Sequence, residues 1–587
     1  MTLTAGDWLV VALYFAASLA VGLRYAPRAR ASSQEFFVSG RALPWWLAGT
    51  SMVATTFAAD TPLAVTGLTV KYGIAGNWLW WSFVMSGMLT AVLYARLWRR
   101  AGVMTDAEFA ELRYSGRPAA LLRAFRACYL ALPVNAIIIG WVTAAMAKIL
   151  GLTLGVGRWE ATAGLFALTG LYAALSGLWG VVITDFFQFA LAMAGCIALA
   201  GFALGAVGGL GGLLAALQAR YPDGAPLRLL PDPDASWMPA LTFAVYVAVN
   251  WWASWYPGAE PGGGGYVAQR LLAARDERHA LLAALWFNVA HYVLRPWPWI
   301  VVALASMVLY PGLADPEAGY VRVMVDHLPP VWRGFLLAAF FAAYMSTIST
   351  QLNWGASYLV NDVYRRFLAP GRSERHYAAA GVAATAAMMA VAAVATAFIS
   401  SVEAAWKFLL ALGAGTGLVY LLRWYWWRIN AWSEVSAMAA ALVVSLALQL
   451  GLGLSSDDPR GFAVLLLLTT ALTTAAWLLV TWLTPPEPRD RLRAFYARVR
   501  PGGRGWAAVV PEAAAEGRLA QGLVAWAAGC AVVYLGLFGL GGLLLGQPRA
   551  GLAALLLGAG LTAYLVRATG APPAPAAAPA PERAGRQ

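Results

Sequence analysis

Long apolar runs recur from one end of this chain to the other, and they constrain its fold more than any other feature. Each run is about 18 residues or longer with few charges, which is enough to cross the hydrocarbon core of a bilayer as a helix. The chain is 61% hydrophobic and 12% charged over 587 residues, far too apolar for a soluble protein of this length. The sequence therefore predicts an all-α polytopic membrane protein with about 15 transmembrane helices.

Basic residues are concentrated in alternate loops. About 30 Lys and Arg follow odd-numbered spans, against fewer than about ten in the other loops, which is the positive-inside pattern. This pattern predicts a multi-pass protein of the cell inner (plasma) membrane with its N-terminus outside and its C-terminus in the cytoplasm. The net charge of +13 then reflects topology. We expect contact with membrane lipids and none with nucleic acid, because no soluble basic face with interleaved aromatics is encoded.

The hydrophilic segments and the cysteines exclude several functional classes. The longest hydrophilic segments, around 209–238 and 484–520, are too short to form a soluble core. The three cysteines all lie within spans and lack the spacing of metal ligands. No phosphate-binding loop is present, and paired acid–base residues are scarce. We therefore expect neither an enzyme nor a nucleotide-driven pump, and no obligatory protein partner.

Four aliphatic hydroxyls lie at the centre of the apolar segment 331–360. They belong to Ser346, Thr347, Ser349 and Thr350. A hydroxyl at this depth must bond back to its own helix, bond another helix or hold an ion. Back-bonding to the preceding turn is common in membrane helices, so this run alone leaves the alternatives open.

Two apolar segments are interrupted by helix-breaking residues. The segment 44–70 contains Asp60 followed by Pro62, and proline removes a backbone donor. Five spans later, the segment 239–257 runs into Pro257, Glu260 and four glycines. A pair of broken helices at matching places in two halves is typical of secondary transporters built from inverted repeats.

Four motifs around these segments resemble the sodium:solute symporter family, in that family's order. They are Glu35 to Trp46, Thr184-Asp185-Phe186-Phe187-Gln188, Gln269-Arg270, and Ala343 to Ser349 followed by Asn361-Asp362-Val363-Tyr364. The resemblance covers most of residues 5–430. It implies a five-plus-five inverted-repeat core of the leucine-transporter type and Na⁺-coupled symport of a small polar organic solute by alternating access, with Na⁺ as the coupling ion and no other cofactor.

The resemblance also implies a Na⁺ site between the first and eighth core helices. The implied ligands are the carbonyls of Ala54, Phe57 and Ala343 and the hydroxyls of Ser346 and Thr347. Oxygen ligands suit this hard cation, and positions 343, 346 and 347 share one helix face. Asp185 is implied on the inward ion path. We expect the remaining two hydroxyls, of Ser349 and Thr350, to bond back within their own helix.

Candidate substrate-binding residues are more loosely defined. They are Thr56, Asp60, Trp255, Tyr256, Glu260 and Arg295. An unpaired Arg at the middle of a span costs at least about 2.5–3.5 kcal/mol. Arg295 therefore pairs with Asp60 or Glu260, holds a substrate carboxylate, or extends to an interface. An amino acid or other carboxylate is the preferred solute on the strength of Arg295, and an aromatic second core helix makes a sugar less favoured.

Two other functions stay open. One is a proton-coupled carrier that uses Asp60 or His291, and the other is a non-transporting membrane sensor. The predicted organisation is a first peripheral helix and cytoplasmic loop (1–43), a core (44–430, with repeats about 44–208 and 239–430), two peripheral helices (431–483), a cytoplasmic loop (484–520), two extra C-terminal helices (521–568) and a disordered tail (569–587).

Overall fold

The computed structural model describes residues 3–29, 32–253, 260–399, 402–455, 458–516 and 519–569. Within these residues every named element is a helix, and extended backbone pairing is limited to one bridge between Leu43 and Ala274. The predicted all-α membrane architecture is confirmed. The C-terminal tail beyond residue 569, expected to be disordered, lies outside the described residues.

The first half of the chain begins with a peripheral helix and ends in a long helical segment that packs against the later core helices. Its helices are α1 (Ala5–Ala29), α2 (Ser33–Val38), α3 (Trp45–Thr56), α4 (Asp60–Tyr72), α5 (Trp78–Trp81), α6 (Val84–Leu89), α7 (Ala95–Ala101), α8 (Phe109–Arg113), α9 (Gly116–Tyr129), α10 (Asn135–Leu154), α11 (Arg158–Ala206) and α12 (Gly209–Arg220).

The second half contains the hydroxyl-rich helix and the C-terminal pair. Its helices are α13 (Ala240–Ala248), α14 (Gly265–Ala273), α15 (Glu277–Val289), α16 (Pro296–Leu309), α17 (Gly319–His327), α18 (Trp332–Ser357), α19 (Glu374–Phe398), α20 (Val402–Gly413), α21 (Gly417–Tyr425), α22 (Ala431–Gly451), α23 (Pro459–Leu483), α24 (Arg489–Val499), α25 (Ala513–Glu516), α26 (Leu519–Leu544) and α27 (Pro548–Thr569). Short π-helical stretches continue several helices, at Thr90–Tyr94, Leu130–Val134, Ala290–Leu294 and Tyr358–Leu368.

Eleven helical segments in the described ranges are long and apolar enough to cross a membrane. The count of 15 is therefore not confirmed. Of the four other expected spans, 44–70 and 239–257 are interrupted, 402–424 is divided between α20 and α21, and 160–178 lies inside α11. At 49 residues, α11 is longer than one crossing requires.

The interruption between α3 and α4 follows from the sequence around Pro62. The Phe57 N–H caps α3 by bonding the carbonyls of Val53 at 2.9 Å and Ala54 at 3.0 Å, and Phe57 itself has non-helical angles (φ −88°, ψ 65°). Pro62 lies in the first turn of α4, where its missing N–H needs no partner, whereas inside a continuous helix its ring would clash with the carbonyl four residues earlier. The chain therefore breaks before Asp60.

The two interrupted helices run in opposite directions. At one face, the Leu43 N–H before α3 donates to the Ala273 carbonyl at the end of α14 at 3.0 Å. At the other face, the Tyr72 ring at the end of α4 stacks on Trp237, just before α13, with ring centroids 4.9 Å apart. Because one helix starts where the other ends, the pair has the antiparallel arrangement that an inverted repeat requires.

The glycine run before α14 allows a close approach of backbone to side chains. Gly263 has a φ of 85°, which side-chain-bearing residues rarely adopt, and a Cβ there would lie 2.9 Å from Thr90. The Trp98 indole N–H donates to the Gly262 carbonyl at 2.8 Å. The run therefore packs α14 against the segment containing Trp98.

Candidate functional site

The hydroxyl-rich part of α18 meets the end of α3 next to its interruption. The Thr347 Oγ1 donates to the Thr55 carbonyl at 2.7 Å and also lies 3.1 Å from the Ala343 carbonyl. Both threonines are buried. The structure thus brings the α18 residues of the predicted Na⁺ site to the part of α3 that carries Ala54 and Phe57.

Ser346 contacts Asp185 directly. The Ser346 hydroxyl donates to one carboxylate oxygen of Asp185 at 2.7 Å, and the Ser51 hydroxyl donates to the other at 2.5 Å. A hydroxyl that donates its proton to a carboxylate keeps its oxygen lone pairs available and its orientation fixed. This contact therefore suits Ser346 to a role as a cation ligand.

The chemistry of these donors fits Na⁺. Hydroxyl and carbonyl oxygens are what a hard monovalent cation takes. The part of the chain that the structure describes contains no group of three or more His, Cys, Asp or Glu able to hold a metal ion. The five ligands named from the resemblance stay a prediction, with their elements brought together.

Arg270 on α14 is a member of this region that the sequence did not assign. Its guanidinium is fully buried, donates to Thr350 Oγ1 at 2.8 Å and to Ser51 Oγ at 3.1 Å, and lies 3.8 Å from the Asp185 carboxylate. A buried carboxylate needs a partner of opposite charge, and Arg270 supplies it. In the sequence, the Gln269-Arg270 motif was the feature that pointed to this residue. A short motif does not show which residues its side chains contact.

The two outer hydroxyls of the run behave differently from each other. Ser349 bonds back to the Ser346 carbonyl at 3.3 Å, within its own helix. Thr350 instead accepts from Arg270 and from the Thr55 hydroxyl, the latter at 3.2 Å. The expectation that Thr350 bonds within its own helix is therefore wrong, because its hydroxyl oxygen accepts hydrogen bonds from two neighbouring helices instead.

A separate cavity lies beyond the interruption, beside α4 and α16. The cavity is small, with a volume of about 80 Å³. Aromatic rings form most of its wall, and its polar groups are few. Its lining residues are Thr56, Ala58, Asp60, Thr61, Trp80, Phe83, Gly87, Trp141, Tyr266, Phe287, His291, Tyr292, Arg295 and Trp406.

A π-helical stretch turns His291 and Arg295 toward this cavity. The Arg295 N–H bonds the Ala290 carbonyl at 3.2 Å, five residues earlier rather than four. Pro296 follows directly and has no N–H to continue the α-helical ladder. The extra residue in the turn shifts the register of the helix, which is a common feature of functional sites.

Thr56, His291 and Arg295 form one hydrogen-bonded group. Arg295 donates to Thr56 Oγ1 at 2.9 Å and lies 3.2 Å from His291 Nε2, while His291 Nδ1 lies 2.8 Å from Thr56 Oγ1. A guanidinium nitrogen only donates, so Nε2 accepts and the network assigns the ring proton to Nδ1. A second proton on His291 would point at the guanidinium. This arrangement favours a neutral imidazole.

Asp60 lines the same cavity, and Arg295 acts on its carboxylate with the opposite charge. The Asp60 side chain is 2% exposed, and its Oδ1 has no hydrogen-bond partner among the described residues. Arg295 is 1% exposed, which excludes extension to an interface. The pairing of Arg295 with Asp60 therefore stays a prediction.

Glu260 lies elsewhere. Its carboxylate accepts from Arg126 at 2.8 Å, and Arg126 also lies 3.3 Å from Asp106. All three side chains are buried, and none lines the cavity. Arg126, rather than Arg295, is therefore the partner that the structure gives Glu260, and the assignment of Glu260 to the substrate site stays a prediction. Trp255 and Tyr256 lie outside the described residues.

We expect Glu260→Gln to destabilise the protein without changing solute affinity. Removing one charge leaves Arg126 buried with a weaker partner, at a loss of up to about 3 kcal/mol. Thermal unfolding in detergent measures the loss, and solute titration measures the affinity. Glu277→Gln is the matched control, since the Glu277–Arg100 pair is partly exposed, with side chains 27% and 24% exposed, and contributes at most about 1 kcal/mol. A loss of solute affinity in Glu260→Gln with normal stability would contradict this role.

Comparisons with known proteins agree with one another. The family model described as the sodium:solute symporter family matches residues 36–443. The chain is 23% identical over 471 residues to a sodium/glucose cotransporter of Vibrio parahaemolyticus, covering 76% of this chain and 85% of that protein. It is 24% identical over 496 residues to sodium/glucose cotransporter 4 of Danio rerio, covering 76% and 72%.

A solved structure shares the fold. It is the substrate-bound, outward-open state of a Na⁺-coupled sialic acid symporter, with a TM-score of 0.67 and 18% sequence identity. The alignment covers 83% of this chain and 99% of that one. At this identity the likeness establishes architecture and leaves the solute open.

Proposed function

This chain belongs to the sodium:solute symporter family, a family of transporters rather than enzymes, and we propose that it couples Na⁺ entry to the uptake of a small organic carboxylate. Na⁺-coupled symport follows from the family and from its relatives. Our proposal goes beyond the family assignment in naming a carboxylate as the transported solute. The preferred members of this solute class are amino acids and other small carboxylic acids.

Arg295 is the observation that carries the solute class. Its guanidinium is buried in an aromatic cavity, held in place by Thr56 and His291. A planar guanidinium matches a carboxylate with two parallel hydrogen bonds, which no neutral solute offers. The Arg295 Cζ also lies 5.0 Å from the Trp299 ring, so its orientation is supported from behind.

The Na⁺ site we propose comprises the carbonyls of Ala54, Phe57 and Ala343 and the hydroxyls of Ser346 and Thr347. The contacts that support it are the Thr347–Thr55 bond and the Ser346–Asp185 bond, which join α18 to α3 and α11. We place Asp185 on the inward ion path because it touches a proposed ligand. An ion leaving Ser346 toward Asp185 would pass between these helices.

We expect uptake to require Na⁺. In proteoliposomes at fixed pH, replacing external Na⁺ with choline should reduce solute uptake to background. Choline is too large to be coordinated by the carbonyl and hydroxyl oxygens of the proposed Na⁺ site. Radiolabelled uptake with and without a Na⁺ gradient measures this. Unchanged rates in choline, together with stimulation by an inward proton gradient, would support proton coupling instead.

His291→Gln is the companion variant for the proton alternative. Glutamine can still accept from Arg295 and donate to Thr56, while it cannot carry a proton. Because the present network favours neutral His291, we expect this variant to keep Na⁺-dependent uptake. If a steep pH dependence of uptake in the wild type vanished in the variant, His291 would be a proton carrier.

A sugar or polyol is the second candidate solute. The relatives named as sodium/glucose and sodium/myo-inositol cotransporters favour it. The cavity favours it less, because Trp80 and Phe83 occupy its second-core-helix wall and offer little hydrogen bonding. Glucose and myo-inositol belong in the same uptake assay, where stronger competition by either one than by any carboxylate would select this candidate.

For the setting, we propose the cell inner (plasma) membrane, with the N-terminus outside and the C-terminus inside. Lys and Arg distribution between loops supports this orientation. Partners are then Na⁺, the solute and the surrounding lipid. The organisation proposed for the chain keeps the core at 44–430, flanked by peripheral helices.

A further inference from the structure

We propose that a second cavity, between the core and the two C-terminal helices, binds an anionic phospholipid. The lipid phosphate would lie on Arg96 and Arg500, and the acyl chains along the apolar part of the wall. This inference is independent of the transported solute. It assigns a role to α26 and α27, which lie beyond the residues 36–443 that match the family.

This second cavity is large enough for part of a lipid. It has a volume of about 520 Å³, within the range of small-molecule sites. Its lining comes from α7, from the π-helical stretch before α7, from the start of α26 and from Tyr564 on α27. Pro501, Gly502 and Gly503, which follow α24, also line it. Because Gln521 and Tyr564 are exposed, the cavity is open to the surroundings of the protein.

Arginines are concentrated in the lining of this cavity. Arg96 and Arg100 lie one turn apart on α7 and so share a helix face, and Arg500 directly follows α24. The Arg100 guanidinium donates to Glu277 at 2.9 Å and to the Val499 carbonyl at 3.3 Å. Arg100 therefore holds α7 against the end of α24, which brings Arg96 and Arg500 to one cavity.

Two carboxylates offset part of this charge. Glu516 lines the cavity and accepts a hydrogen bond from the Tyr496 hydroxyl at 2.6 Å, while Glu277 pairs with Arg100. Among these described residues the arginines exceed the carboxylates by one. One excess positive charge is complementary to a phospholipid with one net negative charge, and basic pockets between membrane helices bind anionic headgroups.

The rest of the lining suits acyl chains better than a soluble anion. Leu93, Leu97 and Leu519 line the same cavity as the arginines. Leu519, at the start of α26, is 42% exposed, as expected where a membrane helix faces lipid. An acyl chain can pass from this wall into the surrounding bilayer, whereas a free phosphate would leave the wall facing water.

Further along its length, α26 is bonded directly to the core. The Trp526 indole N–H donates to the Met85 carbonyl at 2.8 Å, and the Tyr534 hydroxyl donates to the Trp81 carbonyl at 3.0 Å. The cavity lies before these contacts, at the N-terminal end of α26. A lipid in the cavity would join this end of α26 to α7, so its binding should stabilise the folded protein.

Lipid binding by the purified full-length protein tests this inference. The probes are dioleoylphosphatidylglycerol, dioleoylphosphatidylcholine, which has the same chains and no net charge, and inorganic phosphate. Native mass spectrometry after delipidation in a neutral detergent measures lipid binding, and thermal unfolding measures stabilisation by each probe. We expect phosphatidylglycerol to bind and stabilise more strongly than the other two, and Arg96→Gln and Arg500→Gln each to weaken its binding about fivefold.

Arg493→Gln is the matched control, because Arg493 is an exposed arginine of α24 that does not line the cavity; it should bind phosphatidylglycerol as the wild type does. Equal binding of the two phospholipids by the wild type, or equal stabilisation by inorganic phosphate, overturns the inference. A preference that survives in both cavity variants, or that falls as far in Arg493→Gln, also overturns it. Arg500 is exposed, so its variant is expected to fold even if Arg96→Gln does not.

Discussion

Arg295→Gln is expected to abolish uptake of a carboxylate solute while Na⁺-dependent thermal stabilisation of the protein persists. Arg295 lines the cavity and supplies a positive charge there, with its guanidinium bonded to Thr56. A glutamine side chain is neutral and cannot form an ion pair with a carboxylate. Loss of a buried charge-assisted pair costs about 2–5 kcal/mol, which is roughly 30-fold or more in affinity. Uptake in proteoliposomes and thermal unfolding with and without Na⁺ measure the two effects separately.

Two further variants sharpen this result. Arg295→Lys keeps the charge but loses the planar fork, so it should retain weak uptake with a raised half-saturating concentration. Arg322→Gln, at an exposed position on α17, removes an equal charge far from the cavity lining and should leave uptake unchanged. Normal carboxylate uptake by Arg295→Gln would remove Arg295 from the solute site.

Ser346→Ala and Thr347→Ala are each expected to raise the Na⁺ concentration for half-maximal transport on the order of tenfold, as the loss of one oxygen ligand implies. Thr347→Ser keeps the hydroxyl and should restore most of the Na⁺ affinity. Ser349→Ala is the matched control, because among the described residues the Ser349 hydroxyl bonds to a carbonyl of its own helix. The Na⁺ dependence of uptake and of thermal stability is the measurement.

In Ser346→Ala, a loss of protein stability can be distinguished from the loss of a Na⁺ ligand. Ser346→Ala also removes a donor from Asp185, which lowers stability in any salt. A fall in stability that is equal in K⁺ and Na⁺, with an unchanged Na⁺ midpoint, would mean that Ser346 supports Asp185 without binding the ion. An unchanged midpoint in both alanine variants would place the Na⁺ site elsewhere.

Local patterns in the sequence predicted the helices and their breaks well. Apolar runs determine membrane helices because lipid offers no other way to satisfy the backbone. Pro62 indicates that the segment 44–70 is interrupted, since the effect of a proline on the helical hydrogen bonds is local. That Ala343 and Thr347 share a face could also be predicted, because it depends on the spacing along one helix. In the structure the Thr347 hydroxyl lies 3.1 Å from the Ala343 carbonyl oxygen.

The partners of charged residues were less predictable. Glu260 pairs with Arg126, 134 residues earlier in the chain, and no short-range pattern indicates such a contact. Thr350 shows the same limit, because its local preference for back-bonding is overridden by Arg270 from α14. Pairing across helices depends on which faces meet, and that is settled by the packing of the whole bundle.

The pairing of Arg270 with Asp185 has an electrical consequence. The two charges cancel beside the proposed Na⁺ ligands, so each Na⁺ ion carries its full positive charge through the membrane field. With a solute that carries no net charge, one Na⁺ per cycle moves one net charge, and inward transport gains roughly 2.3 kcal/mol per 100 mV. Such a carrier generates a current. With a simple carboxylate and one Na⁺, the cycle would be electroneutral.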